Sequence, residues 1–132
     1  MSNAARPPIH LLEDEADRLS SLAARVEDRQ PEIAALLMEE IDRAILHRAG
    51  EMPPGVVTMG ATVDFTDETN GRERRMQLVY PHEADTDAGR LSILSFVGAG
   101  LIGLSEGQSI SWPDRDGHVR TLRIERVAQP AG

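Results

Sequence analysis

Residues 90–110 read RLSILSFVGAGLIGLSEGQSI, an apolar run with closely spaced glycines and a serine just before them. The GAGLIG portion matches the G-x-G-x-x-G pattern of dinucleotide-binding turns, which is informative only between a parallel strand and a helix. Here a hairpin of two strands is expected to follow, and the chain has no lysine to complete a phosphate-binding loop. We therefore predict a short helix from Gly98 to Leu104, whose glycines let it pack closely on a sheet.

The entry to this short helix carries the first candidate contact residues. Ser95 and Phe96 lie on the turn that leads into it, just before Gly98. The pattern leaves two places open for Phe96, because its ring could belong either to the core or to an exposed contact.

The segments on both sides of the glycine-rich stretch show the alternation of apolar and polar residues that is typical of strands. Turn sequences rich in Asp, Asn and Gly interrupt them at 67–71 and 113–117. Together they predict an α+β fold in which a small antiparallel sheet carries one short helix. The alternating segments are 57–65, 76–80, 91–95, 110–112 and 119–127.

The N-terminal part of the chain follows a helical period instead. Apolar residues recur every three or four positions over 12–26 and again over 33–45. Pro31 fits the first turn of the second helix, which is expected to run to about Arg48 and to end at Gly50. The two helices predict an antiparallel hairpin, either a short coiled coil that projects from the sheet domain or a helical cap packed on it.

A linker is expected between these two parts. Pro53, Pro54 and Gly55 disfavour both helix and strand. We therefore place a helical hairpin at residues 1–50, a linker at 51–55 and a sheet domain at 56–132.

The composition limits the classes of partner. The net charge is −8 and aromatic residues make up only 3% of the chain, so sequence-specific binding of nucleic acid is not expected. A protein partner with basic groups fits this surface better. The longest apolar run has nine residues, whereas about 20 are needed to span a bilayer. Because the sequence also begins without a signal-peptide core, we expect a cytoplasmic protein that does not contact membranes.

No group of residues predicts catalysis, a metal site or a cofactor. The chain has no cysteine, its histidines are dispersed without an i, i+4 pair, and no serine has the surroundings of a hydrolytic nucleophile. We therefore expect a protein that is not an enzyme and binds neither metal nor cofactor. The histidines are His10, His47, His82 and His118.

Two acidic segments are candidate contact sites. Glu83 and Asp85 follow a strand end, where they form either a solvated loop or a contact for basic groups of a partner. Glu27, Asp28 and Glu32 lie at the hairpin tip. There, an ordinary charged turn competes with a role in holding a divalent cation jointly with a partner.

Several motifs occur in an informative order along residues 9–128. They are EMPPGVVTMG at 51–60, the Glu83-Ala84-Asp85 triplet, Ser95 with Gly98, and Leu101 with Gly103. In this order, after a helical hairpin, they resemble the GreA/GreB transcript-cleavage-factor family.

The resemblance implies an FKBP-like C-terminal domain that docks at the rim of the secondary channel of RNA polymerase, and an N-terminal coiled coil that points into the channel. It implies docking roles for Glu83, Asp85, Ser95, Phe96 and Gly98, although Phe96 stands where the family pattern has proline. Prolyl isomerase activity is not expected, because a dry pocket lined by several aromatic rings does not fit this composition.

In the family's cleavage factors, carboxylates at the hairpin tip help to hold a catalytic magnesium ion. The arms predicted here are about 25 Å long at 1.5 Å per residue, roughly half the length of the arms in those factors. We therefore predict a monomeric regulator that binds RNA polymerase without stimulating transcript cleavage and competes with longer-armed factors. The alternative is a protein-interaction module for a metabolic enzyme such as nucleoside diphosphate kinase.

Overall fold

The computed structural model describes residues 6–130 as two helices followed by a five-stranded sheet with a short third helix. The predicted α+β class is confirmed. The elements are β1 His10–Leu12, α1 Glu13–Val26, α2 Pro31–Arg43, β2 Ile45–His47, β3 Thr62–Asp67, β4 Arg72–Val79, β5 Arg90–Ser92, α3 Phe96–Leu101, β6 Ser109–Pro113 and β7 Val119–Ala128.

The five-stranded sheet has the order β5-β4-β3-β7-β6. Its strands pair in antiparallel fashion except for β4 and β5, which are parallel. The expectation of a purely antiparallel sheet is therefore wrong at this edge. The chain leaves β4 at Val79 and passes through two 3₁₀ turns, Pro81–Glu83 and Thr86–Ala88. These turns bring the chain back beside Gln77 of β4. There Arg90 pairs with Gln77, and β5 begins in the same direction as β4.

The first strand of the sheet begins later than its alternation predicts, at Thr62. The residues before it run beside the segment that follows α3. There, the Val57 N–H donates to the Leu104 carbonyl at 2.8 Å, and the Gly103 N–H donates to the Val57 carbonyl at 2.9 Å. Val57 and Met59 are both buried in this irregular segment. Their spacing therefore reflects burial of two apolar side chains and not a position in β3.

Helix α1 forms where the sequence predicts it. Glu13, Asp14 and Glu15 fill its first turn, where the helix dipole favours negative charge. A single apolar face is buried, and packing of that face stabilises a helix of only 14 residues more than intrinsic propensity does. The buried residues are Ala16, Leu19, Leu22, Ala23 and Val26.

Helix α2 begins at Pro31 as predicted, but it ends at Arg43, well before Gly50. The predicted extension is wrong because Ile45–His47 form β2, which pairs in parallel with β1. The Ile45 N–H donates to the Ile9 carbonyl at 2.9 Å. Strand pairing with the N-terminal segment thus outweighs the helical period of the apolar residues.

The hairpin of α1 and α2 packs on the sheet domain. The buried residues of both helices form one hydrophobic cluster with those of the sheet and α3. The Met59 N–H donates to the Glu15 carboxylate of α1 at 3.2 Å, and the His10 N–H donates to the Gly103 carbonyl at 3.0 Å. Of the two arrangements left open by the sequence, the structure has the helical cap, and the projecting hairpin is wrong.

A buried ion cluster joins the N-terminal segment to α2 and the sheet. Glu40 is 1% exposed and accepts two hydrogen bonds from Arg43, at 3.0 and 2.6 Å. Arg6 lies 3.5 Å from Glu40 and 3.0 Å from Glu39. The Arg6 guanidinium also lies 5.1 Å from the ring centroid of Trp112 on β6, within the range of a cation–π contact. Arg6 therefore links α2 to the sheet domain.

We expect Glu40→Ala to lower the free energy of unfolding by about 2–3 kcal/mol, because it leaves partly buried arginines without their carboxylate. The loss is smaller than for a fully buried pair, since Arg6 and Arg43 are partly exposed. Urea unfolding measures it. Glu39→Ala is the matched control, because Glu39 is exposed and shares Arg6; it should cost less than about 0.5 kcal/mol. Equal losses in the two variants would contradict the role assigned to Glu40.

Glu15 gives the contact between α1 and the sheet domain a pH dependence. Burial raises the pKa of its carboxyl above the ordinary value of 4.5, while the bond from the Met59 N–H and the charge of Arg18 oppose the rise. The folded state therefore holds this proton more tightly than the unfolded state does. It follows that this group's contribution to stability falls as the pH rises from its ordinary pKa through the raised one.

We expect Glu15→Gln to be at least as stable as the wild type at neutral pH, because glutamine can still accept from the Met59 N–H and has no charge to bury. The decline in stability above pH 4.5 should be shallower in the variant. Urea unfolding at a series of pH values checks this, with Glu13→Gln in the exposed first turn as the control. A steeper decline in Glu15→Gln would contradict the expectation.

Candidate functional site

Ser95 sets the geometry of the turn that enters α3. Its hydroxyl accepts a hydrogen bond from the Gly98 N–H at 2.9 Å and donates to the Ser92 carbonyl at 2.7 Å. Ser95 is thus the N-cap of α3. These two bonds fix the backbone from Ser92 to Gly98 and with it the direction of the Phe96 side chain.

The glycines of this segment serve close packing. A Cβ atom on Gly98 would lie 2.2 Å from the Ser92 carbonyl oxygen, and one on Gly100 would lie 2.9 Å from the Trp112 ring. The predicted short helix on the sheet is confirmed, but it spans Phe96–Leu101 and so both begins before Gly98 and ends before Leu104. Because Gly98 is buried, any part it has in docking acts through the shape of the turn.

The Phe96 side chain is partly buried and is not among the residues of the core cluster. The Phe96 backbone carbonyl accepts a hydrogen bond from the Trp112 ring N–H at 2.6 Å, which fastens it to β6. The side chain lines a groove together with Ile33 of α2, Leu94 and Arg115. The ring therefore forms part of an open apolar surface.

The predicted acidic loop lies beside this groove. Glu83 and Asp85 are exposed and follow Pro81, which is one of the lining residues. The Asp85 carboxylate accepts from the Ala88 N–H at 3.3 Å and so caps the second 3₁₀ turn. Glu83 keeps its carboxylate on the surface, within electrostatic reach of Tyr80.

Tyr80 lies between the acidic loop and α1. Burial raises the pKa of its phenol, and the negative charges of Glu15 and Glu83 add to the rise, whereas Arg18 opposes it. The hydroxyl is buried without a well-formed hydrogen bond within the described part of the chain.

The tip of the hairpin lies next to the entry turn of α3. Glu27, Asp28 and Glu32 are all exposed there. Gln30 and Ile33, which sequence reasoning did not select, line the same groove as Phe96. The structure thus brings the tip and the predicted docking segment together on one surface. Glu27 itself lies over a smaller depression between α1 and α2.

Two of the dispersed histidines meet in the folded chain. His10 Nδ1 and His47 Nε2 are 2.9 Å apart, one on β1 and one on β2.

A separate group, Asp114, Asp116 and His118, brings three potential ligand atoms within 4.8 Å of one another. However, the Asp114 carboxylate already accepts from two backbone N–H groups and from Arg120. Arg120 holds the pKa of Asp114 below its ordinary value. The Asp114 carboxylate therefore stabilises the turn between β6 and β7 through these hydrogen bonds.

The comparisons with known proteins fit this arrangement. Residues 52–129 match the model of the family described as transcription elongation factor, GreA/GreB, C-term. The chain therefore belongs to the GreA/GreB family. It is 35% identical to the regulator of nucleoside diphosphate kinase of Escherichia coli K12, across 97% of this chain and 96% of that protein.

Two further relatives match different shares of the chain. Transcription elongation factor GreA of Azorhizobium caulinodans is 41% identical over 58% of this chain but only 48% of its own length. A solved structure of a GreA/GreB transcription elongation factor from Nitrosomonas europaea superposes with a TM-score of 0.72 and 37% identity, covering 93% of this chain and 99% of that one. In residues 6–130, none of the helices has the length and apolar character required to cross a membrane.

We expect Ser95→Ala to lower the free energy of unfolding by about 1–2 kcal/mol, because α3 loses its N-cap and the bond to Ser92. Chemical unfolding measures this. Ser21→Ala on the exposed face of α1 is the control and should change stability by less than about 0.5 kcal/mol. A loss in Ser95→Ala no larger than in the control would show that the cap does not fix the turn.

Proposed function

We propose that this protein is a regulator that binds RNA polymerase at the rim of the secondary channel and does not stimulate transcript cleavage. The observation that carries the proposal is the partly exposed Phe96, held by Ser95 and Trp112 on an open groove within the domain that matches the GreA/GreB family. A partly exposed aromatic ring on a rigid turn is the kind of anchor that interfaces use. Glu83 and Asp85 offer additional acidic contacts beside it.

The dimensions of the hairpin argue against delivery of a metal ion to a distant active site. Helices α1 and α2 have 14 and 13 residues, which gives about 21 and 20 Å at 1.5 Å per residue. The tip also lies beside Phe96 instead of standing away from the sheet domain. Glu27, Asp28 and Glu32 would therefore stay near the docking surface, and the protein would occupy the rim that longer-armed factors use.

Several finer features belong to the same proposal. We take the sheet domain, residues 56–132, to be FKBP-like. We take residues 1–50 to form a helical hairpin whose two helices pack against each other as a short coiled coil, which caps that domain and is joined to it through the linker at 51–55. We also take the protein to act as a cytoplasmic monomer without catalytic activity, and without sequence-specific contact to nucleic acid. The net charge of −8 supports a protein partner over a nucleic acid.

Binding to core RNA polymerase tests the proposal. We expect fluorescently labelled protein to bind, an unlabelled cleavage factor to displace it, and stalled transcription complexes with magnesium to show no 3′ trimming. Phe96→Asp should weaken binding at least tenfold, since it places a charge at the apolar anchor. Leu46→Asp is the matched control, because Leu46 is 49% exposed on β2 and outside the groove. Absence of binding at micromolar concentration, or robust trimming lost in Glu27→Ala/Asp28→Ala, would contradict the proposal.

A second candidate function rests on the similarity to the Escherichia coli relative, which is a regulator of nucleoside diphosphate kinase. In that case the same groove would bind a metabolic enzyme. The discriminating measurement is binding of the wild type and Phe96→Asp to purified nucleoside diphosphate kinase in the same assay. Binding to the kinase with no binding to polymerase would favour this candidate.

A further inference from the structure

The groove that contains Phe96 is one end of a longer surface channel. Three adjoining depressions of 620, 610 and 620 Å³ run along the exposed side of α1 to the entry turn of α3. The first and second share Leu22, Arg25 and Pro81. The second and third share Gln30 and Leu94 as well as Pro81. They therefore form one continuous channel, which we call the α1 channel.

The floor of the α1 channel is apolar. Leu22 and Val26 of the hairpin face Pro81 and Leu94 of the sheet domain, and Phe96 closes the far end. Leu22, Val26 and Leu94 belong to the core cluster, so the floor is the upper surface of the hydrophobic core. Such a floor suits the apolar face of a bound polypeptide segment.

The walls of the α1 channel carry positive charge on a protein that is otherwise acidic. Arg18 and Arg25 of α1, Arg29 of the tip and Arg115 of the β6–β7 turn line it, and all four are exposed. None of them belongs to an ion pair among residues 6–130. By contrast, the chain as a whole has a net charge of −8.

Among the residues that line the α1 channel, the acids are only Asp17 and Asp114, whereas the exposed acids of the tip and of the acidic loop lie beside the channel. Asp17 is exposed at one end of the channel, and Arg18 lies close enough to Glu15 and Tyr80 to oppose the rise that burial causes in the pKa of each. At the other end, the Asp114 carboxylate is engaged by Arg120. Arg25 and Arg29 line the middle depression of the α1 channel. None of the residues that line this depression carries a carboxylate.

We infer that the α1 channel binds an acidic amphipathic segment of RNA polymerase, with apolar side chains on the floor and carboxylates on Arg25, Arg29 and Arg115. The inference rests on the proposed function and specifies the partner's chemistry. Guanidinium groups bind carboxylates with two parallel hydrogen bonds, which suits an arginine wall to an acidic segment. Because these groups are exposed, the contribution is screened, so affinity should fall as ionic strength rises.

The test compares charge reversals in binding to core RNA polymerase. Arg25→Glu/Arg29→Glu should weaken binding at least tenfold at low salt, and Arg115→Glu, from a turn outside the helices, should weaken it in the same direction. Arg48→Glu/Arg72→Glu is the matched control, because both residues are exposed, make no described ion pair and lie outside the channel. It carries the same change of charge and should stay within twofold of the wild type. Thermal unfolding verifies that each variant is folded.

A photoreactive amino acid at Ser21, which is exposed within the channel, identifies the bound segment. A crosslink to a polymerase peptide rich in Asp, Glu and Leu supports the inference. Wild-type binding that depends on Phe96 but not on the arginines overturns the inference and leaves the proposed function intact. No binding of the wild type overturns both. Binding of a single-stranded RNA oligomer that is lost in Arg25→Glu/Arg29→Glu assigns the channel to RNA and overturns the inference.

Discussion

The close contact of α3 with the sheet is the constraint on which the candidate surface depends. Gly98 lets the helix backbone meet the Ser92 carbonyl, and Gly100 lets it meet the Trp112 ring, at distances that a Cβ atom would not allow. The Trp112 N–H then bonds to the Phe96 carbonyl at 2.6 Å. Phe96 is thereby held on a rigid turn with part of its ring exposed, and rigid anchors lose little conformational freedom when they bind.

The second constraint is the shared core of the hairpin and the sheet domain. Because α1 and α2 bury their apolar faces against the same cluster as the strands, the hairpin tip lies beside Phe96 and Leu94 instead of away from them. This packing creates the α1 channel and also shortens the reach of the tip carboxylates. A protein built in this way can cover a surface on its partner, whereas a long projecting hairpin enters a cavity.

The errors in sequence reasoning have a common physical origin. The apolar period that includes Ile45 predicts that the second helix continues past Arg43, but Ile45 pairs with His10 of β1 and donates its N–H to the Ile9 carbonyl. The antiparallel sheet was predicted from alternation alone, which carries no information about strand direction, and β5 is parallel to β4. Both outcomes depend on partners distant in sequence, which local periodicity does not register.

The sequence by itself determined the α+β class, the face of α1 that is buried, the short glycine-rich helix and the family, because these follow from local period, from glycine and from motif order. Tertiary structure alone decided that the hairpin caps the sheet domain, that Glu40 is buried with Arg43 and Arg6, and that arginines of α1, the tip and a distant turn line one channel. The reason is that relative placement depends on which apolar faces share a core, and many placements are compatible with the same amphipathic pattern.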